Sequence, residues 1–248
     1  MTKPRLTFVS LAAMTTLSGS AQAYRPFDGT DADVAAPRDV ELELGPAGYL
    51  REGTESRLVS PALVLNYGLA PGFEAVLEGR DSWLLGRRPL HAGVEDVALS
   101  LKSLLRYGSL QGGQGLSVAV ENGLLVAGWR ERLGVHFASI ISQRWPGLTL
   151  HFNLSNDLFA GLRYAAQAGL IAEGPDAWRV RPVAEVLVGR DFGSASLRTG
   201  LAESLLVGAI APCGEALAFD LGFRYGHTER ERDEEARLGL TWSFGTQP

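Results

Sequence analysis

The sequence predicts an all-β fold, an antiparallel up-and-down transmembrane β-barrel of about 12 strands. The first observation is that apolar and polar residues alternate in segments along most of the chain. In 237–244, for example, one strand face carries Leu238, Leu240, Trp242 and Phe244. The second is an export signal at the amino terminus. The third is that the longest apolar runs, such as 205–212, fall far short of the roughly 20 residues that a transmembrane helix needs. Strands can cross a bilayer only as a closed barrel, because open strand edges find no hydrogen-bond partners in lipid.

The amino terminus has the three parts of a signal peptide. Lys3 and Arg5 are basic, residues 6–17 are apolar, and Ala21-Gln22-Ala23 forms a cleavage site that leaves Tyr24 first. An uncleaved membrane anchor is the alternative. The predicted division is a signal peptide at 1–23, an irregular periplasmic lead-in at 24–37 and the barrel at 38–248.

Each predicted strand alternates in polarity and ends at a turn or loop signal. In the first strand, for example, Glu41 and Glu43 share the polar face. In order, the predicted strands span 40–44, 57–67, 73–80, 94–106, 116–121, 135–144, 148–155, 161–172, 178–190, 194–207, 217–227 and 236–244.

The connections between these strands differ in length. Tight turns marked by Gly and Pro follow the second, sixth, eighth and tenth strands, at 70–72, 145–147, 173–175 and 211–214. Longer charged loops follow the first, third, fifth and eleventh strands, at 45–56, 81–93, 124–134 and 228–235. Short periplasmic turns and long outer loops are typical of outer-membrane barrels. The exceptions are 108–115, which is long for a tight turn, and 191–193, which is short for a loop.

Aromatic residues lie near the predicted strand ends, where a membrane girdle would need them. These are Tyr67, Trp145, Trp178, Trp242 and Phe244. Trp and Tyr rings suit the headgroup level of a bilayer. The alternative is ordinary packing in the core of a soluble β-sandwich.

Composition excludes several classes of protein. The formal net charge is −5 and the basic residues are scattered, so nucleic acid is not an expected partner. The single cysteine, Cys213, excludes an internal disulfide. With 4 histidines and no ligand spacing among them, neither a metal nor another cofactor is predicted.

Several stretches of the chain resemble a family of outer-membrane proteins named for the meta-pathway of phenol degradation. They are 25–35, 41–46, 63–69, 103–110, 142–146 and 181–186. The resemblance covers most of the mature chain, and its motifs are structural. It implies a transporter-like outer-membrane barrel and supplies no catalytic residues.

The predicted lumen face carries charge of opposite sign on the early and late strands. The acidic arc comprises Glu41, Glu43, Glu74, Glu78, Asp96 and Glu121. The arginine arc comprises Arg163, Arg179, Arg181, Arg198, Arg224 and Arg237. Facing each other across a pore, these arcs would sort solutes by charge. Alternatively the charges pair and fill a narrow lumen.

An enzyme is the second class considered, because outer-membrane lipid hydrolases use Ser, His and Asn. His151, Asn153 and Ser155 share one strand face. A lipid hydrolase needs such a row on the lipid side, but Phe152 and Leu154 lie there, so no enzyme activity is predicted. A periplasmic β-sandwich or a lipocalin-like binder is the third class. Either would show the same alternation without needing an even strand number.

The sequence therefore predicts an outer-membrane channel or transporter-like barrel for passive passage of small solutes, with aromatic or anionic solutes as candidates. A barrel with a filled lumen and a structural or lipid-hydrolase role is the first alternative. The expected partners are the lipid bilayer, the outer-membrane assembly machinery and the solutes.

Overall fold

The alternating segments form twelve antiparallel strands that close into a barrel, with β1 paired to β12 and every other strand paired to its neighbours in sequence. This computed structural model describes residues 26–86, 88, 90–126, 133–161, 163–192, 201–228 and 231–245. The strands are β1 (Asp39–Glu52), β2 (Glu55–Ala70), β3 (Phe73–Leu84), β4 (His91–Arg106), β5 (Ser117–Leu125), β6 (Gly134–Trp145), β7 (Leu148–Phe159), β8 (Arg163–Glu173), β9 (Arg181–Asp191), β10 (Ala202–Pro212), β11 (Leu217–His227) and β12 (Arg232–Gly245). The predicted fold class and strand number are confirmed. A closed single sheet of this size is neither a two-layer sandwich nor an eight-stranded lipocalin.

The predicted loop at 45–56 is wrong, because most of it is strand. β1 runs to Glu52 and β2 starts at Glu55, which leaves a two-residue turn in which Gly53 has a φ of 56°. The β1–β12 register shifts between Leu44 and Ala47, so Pro46 lies in an irregular part of the ladder. Proline has no N–H to donate to a ladder, and irregularities of this kind accommodate it.

The start of β9 also differs from its prediction. Residues 178–180 precede the strand and belong to its turn, which is closed by a hydrogen bond from Trp178 N to Pro175 O of 3.1 Å. The strand begins at Arg181. Proline at 175 favours such a turn, and strand alternation alone cannot place its end.

The outer face of the barrel is apolar. On β11, Phe219, Leu221 and Phe223 are exposed, while Asp220 and Gly222 between them are buried. This is the reverse of a soluble sheet, in which apolar side chains point inward. Within the described ranges, no helix is long and apolar enough to cross a bilayer.

The two ends of the barrel are distinct. The terminal rim carries both ends of the strand array and the connections 71–72, 107–116, 146–147, 174–180 and 213–216. The opposite end is the loop rim. Tyr67, Trp145, Trp178 and Trp242 are all exposed near the terminal rim. Aromatic side chains therefore surround that end of the barrel.

Candidate functional site

Residues 26–38, the lumen segment, run from inside the barrel to the terminal rim, where 36–38 are exposed. The described part of the predicted lead-in at 24–37 thus contacts the barrel wall from within. The segment forms no strand, so its backbone N–H groups need other partners. Side chains of the wall accept them: Asp28 N to Glu185 Oε2 (3.0 Å), Gly29 N to Glu185 Oε1 (2.7 Å), Thr30 N to Asn153 Oδ1 (3.1 Å), Ala32 N to Ser142 Oγ (2.9 Å) and Ala35 N to Glu74 Oε2 (2.6 Å). These acceptors belong to β9, β7, β6 and β3, so the segment crosses the lumen between opposite walls.

Asp28 of the lumen segment lies between two arginines of the wall. Arg224 Nη1 contacts Asp28 Oδ2, and Arg237 Nη2 lies 2.7 Å from Asp28 Oδ1. Arg237 Nη1 also donates to the carbonyl of Pro26 at 2.8 Å. Burial raises the pKa of the Asp28 carboxyl, but the Arg237 and Arg224 guanidiniums outweigh it and hold that pKa well below its usual range. Asp28 is therefore ionised at neutral pH.

The Arg224 and Arg237 side chains also have acidic neighbours on the wall. Glu235 Oε2 lies 2.7 Å from Arg237 Nη2 and 3.6 Å from Arg224 Nη1. Glu185 Oε2 lies 3.6 Å from Arg224 Nη2. With Asp28 in place, two guanidiniums face three carboxylates. The charge around this part of the lumen is therefore nearly balanced.

Apolar contacts hold the lumen segment at two further points. Phe27 packs against a buried cluster of Val183, Ile210 and Ala218. Ala32 is fully buried in a second cluster, composed of Leu110, Ala119, Ala138 and Ile140. The neighbouring residues in both clusters have small or branched side chains. The apolar side chains of Phe27 and Ala32 therefore fit against them.

The connection between β4 and β5 closes over the segment. The sequence shows that this connection is long for a tight turn, and the structure places the 3₁₀ turn Ser109–Gln111 in it. Leu110 packs against Ala32. Gln111 Nε2 donates to Ala32 O at 2.9 Å and to Asp33 Oδ1 at 3.0 Å. Burial and the nearby Asp31 raise the pKa of the Asp33 carboxyl. Two irregular pieces of chain thus occupy part of the terminal-rim half of the lumen.

The acidic arc lies on the lumen side of β1 to β5. Glu43 and Glu74 are almost fully buried, and Glu41 accepts a hydrogen bond from Ser243 Oγ at 2.6 Å. Glu78, Asp96 and Glu121 line a cavity. Lys102 is a buried cation beside Glu74 of this arc, with its Nζ 3.9 Å from Glu74 Oε1 and 3.6 Å from Asp31 Oδ1. The arc and the lumen segment therefore share one buried cation.

The arginine arc is dispersed. Arg224 and Arg237 meet at Asp28, as described. Arg181 lies at the terminal rim beside Glu173 (3.1 Å) and Asp176 (2.6 Å), whereas Arg163 contacts Asp191 at the loop rim. Arg179 is exposed in the turn before β9, and Arg198 lies outside the described residues. The structure thus brings two members of the arc together and separates the others.

Alternation failed to identify a third charged group, formed by Arg57, Arg80 and Glu95. Arg57 Nη1 lies 2.9 Å from both carboxylate oxygens of Glu95. Arg80 Nε lies 3.4 Å from Glu95 Oε1 and 2.7 Å from Asp96 Oδ2. The β3–β4 register shifts next to Arg80, and Asp96 has a φ of 54°, so Glu95 turns inward. A carboxylate that strict alternation would place in lipid is itself a signal of such a bulge.

The part of the barrel that the structure describes contains two adjoining cavities in its lumen. The outer cavity is about 650 Å³ and opens toward the loop rim, where Arg190, His227 and Asp233 line it. The inner cavity is about 440 Å³ and lies against the lumen segment. Asp28 and Gln167 line both. As far as the described residues show, the lumen is therefore not filled throughout.

His151 lies between Ser142 and Glu173, an arrangement that resembles a hydrolase triad. Its Nδ1 lies 2.8 Å from Ser142 Oγ, and its Nε2 lies 3.2 Å from Glu173 Oε1. All three side chains point inward, Ser142 is 0% exposed, and its Oγ accepts the N–H of Ala32. A nucleophile needs room for a substrate carbonyl, whereas here the buried Ser142 Oγ is occupied by the lumen segment.

No family model matches the chain. No curated protein matches it either. Several solved structures do match the chain. An outer-membrane channel from Pseudomonas putida F1 has a TM-score of 0.62 and 9% identity, covering 86% of this chain and 97% of that one. The NanC porin has a TM-score of 0.61 and 8% identity, covering 82% and 98%, and the KdgM porin has 0.52 and 10%, covering 82% and 99%. At these identities the likeness establishes the fold, a closed antiparallel barrel like those of outer-membrane channels.

Proposed function

We propose that the protein is an outer-membrane channel for passive passage of small solutes, and that the lumen segment controls that passage. The observation that carries the proposal is a closed barrel whose outer face is apolar and whose charged interior holds two adjoining cavities. A continuous apolar band around a barrel suits lipid, and a polar lumen suits solutes. The channel and porin names of the similar structures support the same function.

We also propose membership in the family named for the meta-pathway of phenol degradation. The first two resembling stretches, 25–35 and 41–46, coincide with the lumen segment and the start of β1. The resemblance thus includes the part of the chain that enters the lumen. Aromatic and anionic solutes remain the candidate permeants.

The proposed location gives a direct expectation for the mature protein. We expect the mature chain to begin at Tyr24, to fractionate with outer membranes, and to migrate differently on gels before and after heating, because folded barrels resist detergent. Amino-terminal sequencing of the membrane fraction checks the cleavage site. Recovery of the chain as a soluble periplasmic protein would contradict the proposal.

We propose that passage through the terminal-rim half requires the lumen segment to move, and Gly68 on β2 offers a way to displace it. A Cβ at Gly68 would lie 1.9 Å from Ala36 O and 2.7 Å from Ala35 O, which are backbone atoms that must shift. We expect Gly68→Ala to increase single-channel conductance or open time at least severalfold in planar bilayers, because steric overlap of this kind excludes the observed seating. Reversal potentials in the same bilayers test whether Glu78 and Glu121 of the inner cavity contact the permeant ions.

Gly48→Ala is the matched control. A Cβ at Gly48, which also lines the inner cavity, meets its nearest atom, Ala236 O, at an ordinary 3.5 Å. The control should conduct like wild type, and heat-dependent gel migration verifies that both variants are folded. Folded Gly68→Ala protein that conducts no better than wild type would refute control by the segment. Absence of conductance in every variant would refute the channel.

A further inference from the structure

The lumen segment presents an aromatic ring and a carboxylate side by side to the barrel wall. Phe27 packs against Val183, Ile210 and Ala218. The neighbouring Asp28 contacts two arginines, Arg224 and Arg237. The wall therefore has an apolar patch next to a pair of guanidiniums, and the chain itself occupies both.

We propose that this part of the wall is a binding site for small aromatic carboxylates, and that Phe27 and Asp28 occupy it in place of such a solute while the segment is seated. The proposal rests on the proposed channel function and names the class of solute. A carboxylate that enters the lumen competes with Asp28 for the guanidiniums, and its ring competes with Phe27 for the apolar patch. Binding of the solute and seating of the segment are therefore mutually exclusive.

The donor groups suit a carboxylate. Each arginine contacts a different oxygen of Asp28, as two donors hold a carboxylate from two sides. Within the described residues, the buried Nε atoms of both arginines make no hydrogen bond. An incoming monocarboxylate carries the same charge as Asp28, so it restores the charge balance beside the two arginines. A dianion such as phosphate would add a further negative charge beside Glu185 and Glu235, which makes it a poorer occupant.

The apolar patch suits an aromatic body on that carboxylate. Val183, Ile210 and Ala218 are each at most 5% exposed with Phe27 in place. Removal of Phe27 would uncover them, and a flat ring restores their cover. A short aliphatic carboxylate such as acetate makes the ionic contacts but leaves the patch bare.

Solutes can reach the site from the loop rim. The Asp28 side chain is 33% exposed and lines both the outer and the inner cavity. The outer cavity, about 650 Å³, has room for a molecule of benzoate size. A ligand that binds only after the segment leaves shifts the equilibrium toward the unseated state, and the seated population reduces its apparent affinity.

The test measures benzoate binding to purified, refolded full-length protein by calorimetry and by ligand-observed NMR. The double substitution Phe27→Ala with Asp28→Asn removes the competing ring and charge. We expect it to tighten benzoate binding at least about tenfold relative to wild type, because the competing segment no longer holds the site. Benzamide, which has the ring without the charge, and acetate, which has the charge without the ring, should gain much less. Adding Arg237→Gln to the double variant should abolish the gain.

Asp33→Asn is the matched control, since it makes the same chemical change in the same segment away from the arginines, and the amide Oδ1 can still accept the hydrogen bond from Gln111. It should bind benzoate like wild type. Equal benzoate affinity in wild type and the double variant, or an equal gain for benzamide, would overturn the proposed site. Bilayer recordings on the same preparations separate the two proposals. Conductance without the benzoate gain refutes the site alone, and the gain without conductance refutes the channel while the site stands.

Discussion

Replacement of Arg57 with methionine should lower the free energy of unfolding by about 3–5 kcal/mol, the range for removing one partner of a buried ion pair. Arg57 and Glu95 have side chains that are each 2% exposed, and Arg57 Nη1 lies 2.9 Å from both oxygens of Glu95. Without Arg57, the Glu95 carboxylate keeps Ser82 and the more distant Arg80. Urea unfolding of the refolded barrel in detergent, followed by tryptophan fluorescence, measures the change.

The double variant Arg57→Met with Glu95→Leu is the informative control. Apolar residues of similar volume often replace a buried ion pair with little loss, so the double variant should regain most of the stability. Arg80 would keep its 2.7 Å contact with Asp96. A double variant as unstable as Arg57→Met alone would show that packing at Arg57, and not the stranded Glu95 charge, accounts for the loss.

Replacement of Leu154 with arginine should cost about 2–4 kcal/mol, the range for arginine on the lipid face near the bilayer midplane. Leu154 lies near the middle of β7, and its side chain is 43% exposed on the outer face. In lipid the guanidinium introduced at position 154 would lose its hydration without gaining a partner. Unfolding from lipid vesicles is the appropriate measurement, because detergent shields this face less uniformly.

Ser155→Arg is the matched control, one residue further along the same strand. Ser155 points the other way and lines both cavities, with Asp157 on the same face. Water and that carboxylate can accommodate the new charge, so the loss should be within about 1 kcal/mol, as for a change that buries nothing. Equal losses at 154 and 155 would indicate that both faces of β7 are buried in protein, which would contradict a membrane barrel.

The barrel itself could be predicted because the separation of apolar and polar side chains leaves a local pattern in the sequence. Every residue of a strand faces either outward or inward, so period-two alternation identifies the strands and their two faces. The limits appear where the backbone departs from that period. Pro46 and Asp96 mark irregularities at which the phase changes, and Arg179 belongs to a turn because Trp178 bonds back to Pro175. These departures depend on single residues and shift the predicted face of the residues that follow.

The position of the lumen segment could not be predicted from its own residues. Residues 26–38 have no periodicity, and their partners Glu185, Asn153 and Ser142 lie 110–157 positions away in the sequence. Those acceptors converge only after the barrel has closed. The sequence shows Glu185 as an acid among the late arginines, but nothing local indicates that it accepts two backbone N–H groups.

The way in which the lumen segment is held also determines what must replace it. Its hydrogen bonds run from backbone N–H groups to Glu185, Asn153, Ser142 and Glu74, all of which are buried. When the segment leaves, these acceptors lose their donors inside a narrow space, and unsatisfied buried acceptors are unfavourable. Water is the one donor always at hand to take the vacated places. The proposed opening would therefore wet the barrel, and we expect the open state to hold more water than the closed state even without a solute.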